Sequence, residues 1–149
     1  MSIRLNSPDE YLVAERPMYF NYQGRSARNW LGGHDVVGFS PGVRSARKWY
    51  FAEGTTRSEF DEWITVLNPT EKAAGLTFRY MIEGAGEVVK TGNVAANSRA
   101  TFYAADHVGA GKDISLLVES DQDIVAERPM YFNYNGWCPG GHDVVGYSE

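Results

Sequence analysis

Ten residues, Val13 to Tyr22 (Val-Ala-Glu-Arg-Pro-Met-Tyr-Phe-Asn-Tyr), return unchanged as Val125 to Tyr134, an offset of 112. A second block, Gly32 to Ser40, returns as Gly140 to Ser148 at an offset of 108, with Phe39 replaced by Tyr147. The four-residue difference falls between the blocks, where the first copy carries Arg25 to Leu31 and the second only Trp137-Cys138-Pro139. A variable stretch between two fixed blocks behaves as a loop tip. The period of about 110 residues is that of a β-sandwich, far longer than a solenoid repeat. The 149-residue chain therefore holds little more than one period. Residues 1–41 read as a partial repeat, the terminal hairpin of a preceding unit, and 42–149 as one complete unit.

The stretches between the repeated blocks read as strands. Leu76, Phe78, Tyr80 and Ile82 alternate onto one face. Trp63 to Leu67 ends at the turn signal Asn68-Pro69-Thr70, and Glu83 to Glu87 is a hairpin tip. Ala100 to Ala104 and Ile114 to Glu119 make two further strands, and Asp121-Gln122-Asp123 is expected to turn the chain before Ile124. Glu10 to Glu15 is taken as strand. Pro129 lacks a ladder N–H and predicts an edge or a bulge. Gly140-Gly141 is expected to turn the chain back into Val144-Val145. The fold expected is all-β: an immunoglobulin-like antiparallel sandwich with a duplicated terminal hairpin.

Composition narrows function by exclusion. At 43% apolar and 22% charged residues the chain is neither disordered nor collagen-like. No apolar run approaches membrane-spanning length, so no membrane insertion is expected. The first residues lack an apolar signal-peptide core. A single cysteine, Cys138 beside Pro139, allows no intrachain disulfide and reads as an incidental thiol. Residues 1–48 carry a net +3 and residues 49–149 a net −8. That distribution does not suit nucleic acid, which wants a dense basic surface. It does suit attraction between the basic end of one copy and the acidic body of another.

Trp49 to Thr56, Phe60 to Ile64 with Asn68-Pro69, Val118 to Asp121 with Ile124 to Arg128, and Gly140-Gly141-His142-Asp143 resemble a family of tandem repeats in long secreted or cell-surface bacterial proteins. The resemblance covers 49–148 as a full unit and 10–41 as the tail of another. It implies an immunoglobulin-like sandwich, an extracellular or cell-surface location, and a structural or adhesive role. The chain departs from it in having one full unit instead of many.

Candidate chemistry is sparse. Gly-Gly-His-Asp occurs twice, with His34-Asp35 and His142-Asp143. Adjacent strand residues point to opposite faces, so neither pair makes a catalytic array, and a structural loop role is expected ahead of metal binding. His107 with Asp106 is the only similar pair. Arg128 shares a face with Met130 and Phe132 and needs a carboxylate partner if buried; Glu53 and Glu119 are the candidates. Asp106, Asp121 and Asp123 are weighed as a calcium loop, with ordinary turns preferred. No catalytic residue, metal site or cofactor is assigned, and the chain is read as a non-enzyme. Trp49-Tyr50-Phe51 and Tyr131 to Tyr134 are either core or a sugar-stacking surface, which keeps carbohydrate binding as the alternative function.

One body can use one closing hairpin, and here there are two. The spare copy exposes apolar side chains. The self-association set is accordingly Met18, Tyr19, Phe20, Tyr22, Val37 and Phe39 with Met130, Tyr131, Phe132 and Tyr134. Three outcomes are open: the spare hairpin packs along its own domain, frays, or inserts into the next molecule head to tail. The partners expected are other copies or neighbouring repeats, with a cell-surface glycan as the alternative.

Overall fold

The computed structural model describes residues 3, 5–8, 12–25, 29–38 and 45–148. It is the expected all-β antiparallel sandwich with a duplicated terminal hairpin, and nearly every element is strand. The strands are β1 (Met18–Gln23), β2 (Asn29–His34), β3 (Ala46–Thr55), β4 (Phe60–Asn68), β5 (Ala74–Ile82), β6 (Gly86–Val94), β7 (Ser98–Tyr103), β8 (Asp113–Tyr134), β9 (Cys138–Val145) and β10 (Tyr147–Ser148). One short helix, α1 (Ala104–Val108), follows β7.

Two layers share one strand. The first half of β8 pairs β3 and β5, giving a first sheet in the order β10-β3-β8-β5-β6. Its second half pairs β4 and β9, giving a second sheet in the order β7-β4-β8-β9. A 22-residue strand would span about 70 Å if straight, far more than a sandwich this size needs. β8 instead passes from one layer to the other, as sheet-switching corner strands do. The turn expected at Asp121-Gln122-Asp123 is therefore absent: the residues are strand, at the crossing between layers.

The core lies between the layers and follows the alternation in the sequence. Leu76, Phe78, Tyr80 and Ile82 from β5 are buried against Ile64 and Val66 from β4 and Leu116 and Val118 from β8. Trp49 is fully buried, its indole N–H shared between the Ala46 and Ile124 carbonyls at 3.1 Å each. Asn68 closes β4: its amide donates to the carbonyls of Lys72, Val94 and Ala95, and its carbonyl accepts from Thr70.

Three other local expectations change. Pro129 sits inside the sheet, between β4 and β9, in unbroken register with both. It occupies a gap in the β4 ladder, where Glu62↔Met130 and Thr65↔Glu127 pair on either side, so it makes neither an edge nor an inserted bulge. The chain reverses at Asn135-Gly136, both left-handed (φ 53° and 74°), and not at Gly140-Gly141, which lie within β9. Asn-Gly supplies the positive φ values that a tight hairpin demands. Of the strand expected over Glu10–Glu15, residues 10 and 11 lie outside the described set, and Glu15 makes only a single bridge to Val37.

The first repeated block forms its own two-stranded hairpin, β1–β2, hydrogen-bonded to neither sheet. Its register, Met18↔His34 and Phe20↔Gly32, matches Met130↔His142 and Phe132↔Gly140 in the second copy. Identical sequence has produced identical pairing.

Candidate functional site

Two places bring polar chemistry together: the seat of the N-terminal hairpin and a cleft at one end of the sandwich.

The hairpin lies across the outside of the second sheet as a third layer. Strand parity puts Arg16, Met18 and Phe20 of one strand on the same face as Trp30, Gly32 and His34 of the other, and this face turns inward. A Cβ on Gly32 would meet the Gly140 Cα at 3.0 Å, and one on Gly141 would meet the Phe20 ring at 2.7 Å. The backbones come that close because the Gly-Gly pairs carry no side chains. Phe20 meets Tyr131 edge-on, ring centroids 4.9 Å apart, and His34 lies 5.9 Å from the same ring.

The variable stretch of the first copy adds buried polar contacts. Trp30 is fully buried and its indole N–H donates to Asp61 Oδ2 at 3.0 Å. The same oxygen accepts the Arg25 backbone N–H at 2.9 Å, and Oδ1 accepts the Tyr103 hydroxyl at 2.8 Å. The Arg25 guanidinium lies 4.6 Å from the Tyr103 ring centre and pairs with Asp106 at 2.7 Å. Arg16 bridges Asp143 at 2.6 Å and Glu127 at 3.4 Å. Burial raises both carboxyls' pKa values, each being drawn back by Arg16. With Arg47–Asp123 and Lys48–Glu119, the basic N-terminal segment spends much of its charge on its own acidic body.

The candidate residues divide accordingly. Phe20 is covered; Met18, Tyr19 and Val37 are exposed, Tyr19 by 87%. Phe39 and the Tyr22 side chain lie outside the described residues. Met130 is buried inside the sandwich, and Tyr131 is half-buried beneath the hairpin. Both hairpins turn the same face inward, the second onto the first sheet and the first onto the second. His34 and Asp35 stay apart, as do His142, which faces the cleft, and Asp143, which faces Arg16. Neither His34 ring nitrogen has a hydrogen-bond partner, and burial, with Arg16, lowers its pKa. Asp106, Asp121 and Asp123 go to three places, meeting Arg25, the Gly75 N–H and Arg47. No group of three potential metal ligands occurs among the described residues. The Tyr80 hydroxyl hydrogen-bonds His107 Nδ1 at 2.9 Å at the edge of the core.

The cleft, about 620 Å³, opens between the layers. Phe60, Phe132 and Tyr134 form one wall, with Phe60–Phe132 ring centroids 5.9 Å apart; Met81, Ile82 and Ile114 form the other. Arg128 lies in it, 7% exposed, and its Nε–H has no acceptor. Glu119, one suggested partner, is held by Arg79 at 2.7 Å. Glu53, the other, lies on the cleft without an ion pair among the described residues. A buried carboxylate near Arg128 is Glu62, which the sequence reading missed, although no ion pair within 4 Å joins the two among the described residues. It is 1% exposed, lies behind Gly54 and accepts the Thr55 N–H at 2.5 Å. Burial pushes its carboxyl up to about 7, against the pull of Arg128 and the Thr55 N–H. The signal was available: Glu62 alternates with Ile64 and Val66, on the core face. A side chain at Gly54 would strike that carboxylate and force it to shift. His142, also on the cleft, has its pKa lowered by burial and by Arg128.

No family model matches the sequence. Among solved structures, the chain is similar to Thermotoga maritima 1070 (TM-score 0.64, 19% identity, covering 72% of this chain and 97% of that one). It is also similar to the Anabaena sensory rhodopsin transducer (TM-score 0.50, 18% identity, 56% and 94%). At these identities the likeness is one of fold: an antiparallel β-sandwich.

Proposed function

We propose that this chain is a non-enzymatic architectural module of an extracellular or cell-surface protein, built to join consecutive copies by laying a terminal hairpin on a neighbouring sandwich. The observation that carries this reading is the seat itself. The N-terminal hairpin finds a fitted surface on the sandwich that follows it, anchored by Trp30 on Asp61 and by Arg16 on Asp143.

The same seat can be filled in cis or in trans. A short connection, residues 39–45, keeps the local concentration of the hairpin near millimolar, so cis docking dominates in dilute solution. At comparable protein concentration a neighbour's hairpin takes the seat, making the same contacts head to tail. Such a contact is heterologous, so it builds chains or rings and not closed dimers. The adhesive aspect rests on the resemblance to surface repeats. Binding of a surface glycan, the alternative, would have to use exposed rings such as Tyr19, Tyr134, Trp137 and Tyr147, since Trp49 is enclosed.

Sedimentation velocity from micromolar to millimolar protein tests this. Mass should rise with concentration for the full chain and stay monomeric for a chain lacking residues 1–41. Two monomers throughout would overturn the reading.

A further inference from the structure

We infer that the cleft at the open end of the sandwich is a binding site for a small zwitterion of the amino-acid type, held by its carboxylate on Arg128 and by its ammonium on Glu53 and Glu83. Three observations converge. The first is Arg128, a guanidinium more than nine-tenths buried whose Nε–H lacks an acceptor and which makes no ion pair within 4 Å among the described residues. Glu62 acts on Arg128 only from beyond ion-pair distance, a buried guanidinium with no carboxylate in contact is costly, and a ligand carboxylate is the planar acceptor a guanidinium fork fits best. The second is the rim. Arg57 is neutralised by Asp113, and Glu59 accepts the Asn135 N–H. Glu53, Glu59 and Glu83 are then left without cations among the described residues, and an anion alone would meet them unfavourably. The third is the wall between these two ends, where Phe60 and Phe132 face Ile82. A ligand with a negative end at depth, a positive end at the rim and an apolar body between them matches all three. The site is independent of the hairpin seat, which lies on the opposite side of the second sheet.

The test titrates 15N-labelled full-length protein with L-leucine, followed by the Arg128 Nε–H and His142 ring signals, with leucine methyl ester, N-acetyl-leucine and D-glucuronate as comparisons. Leucine should shift both signals at millimolar concentration and raise the melting temperature. The ester, which cannot form the charged two-oxygen pair with the guanidinium, should bind at least about tenfold more weakly. Glu53→Gln should weaken leucine and leave N-acetyl-leucine unaffected. Because the comparisons among ligands use the wild-type protein, they hold even if an Arg128 or Glu53 variant fails to fold. No shift with leucine, equal binding of the ester, or tighter binding of glucuronate than of leucine would each overturn the assignment.

Discussion

The indole of Trp30 and the carboxylate of Asp61 meet at 3.0 Å in a fully buried contact that joins the N-terminal hairpin to the sandwich. Trp30 belongs to the stretch whose length differs between the repeat copies. The shared residues build the hairpin and pack its inner face, and the unshared stretch adds a buried polar anchor.

Trp30→Ala should therefore release the hairpin without unfolding the body. Truncating a buried tryptophan costs about 3–5 kcal/mol, more than a two-stranded hairpin has in reserve. Amide exchange should speed up throughout Met18–His34 while β3, β5 and β8 keep their protection. Equal protection of the hairpin in the variant would show that Trp30 is not its anchor.

Gly32→Ala should loosen the same seat by steric means. The new methyl would meet the Gly140 backbone at 3.0 Å, and overpacking of this kind costs about 1–3 kcal/mol. Hydrogen exchange should show the hairpin weakened with Trp30 intact, and a wild-type profile would place the glycines out of contact.

His34 predicts acid sensitivity. Its docked pKa lies below the ordinary value, so the released hairpin binds the proton more readily. Docking is then fully favoured above about pH 6.5 and weakens as pH falls through that value. Glu127 and Asp143, whose pKa values are raised when docked, act in the opposite sense at lower pH. His34→Phe keeps a ring beside Phe20 and Tyr131 and removes the histidine contribution. Hairpin exchange at pH 7.5 and 5.5 should differ less in the variant, and an unchanged difference would exclude His34.

Glu62 predicts the reverse slope for the sandwich. Its carboxyl titrates near 7 when folded and near 4.5 when unfolded, so its neutral form is favoured below pH 4.5 and that stability is lost as pH rises through 7. Relative to wild type, Glu62→Gln should gain about 2 kcal/mol between pH 5 and pH 8 by denaturant unfolding. A constant difference would mean Glu62 is ionised throughout.

Much of the sandwich is legible because side-chain alternation and burial coincide, as in Leu76 to Ile82. The same parity places Arg128 inside, with Met130 and Phe132. It fails where one strand serves two sheets: Asp121-Gln122-Asp123 carries turn residues, yet backbone pairing on both flanks holds it extended. Pro129 misleads for a related reason, since a gap in one ladder lets a central strand accept it. Gly140-Gly141 looks like a turn but serves close packing, while Asn135-Gly136 makes the turn. The seat of the hairpin was hidden because its two halves, Trp30 and Asp61, are unrelated in sequence pattern and meet only when the layers stack.

The most direct test is a nuclear Overhauser measurement on dilute full-length protein, between the Hα protons of Gly32 and Gly140 and between the rings of Phe20 and Tyr131. Stacked hairpins predict cross-peaks for both pairs at micromolar concentration. Their absence, with Met18–His34 at random-coil shifts, would mean that the spare hairpin has no seat on its own body.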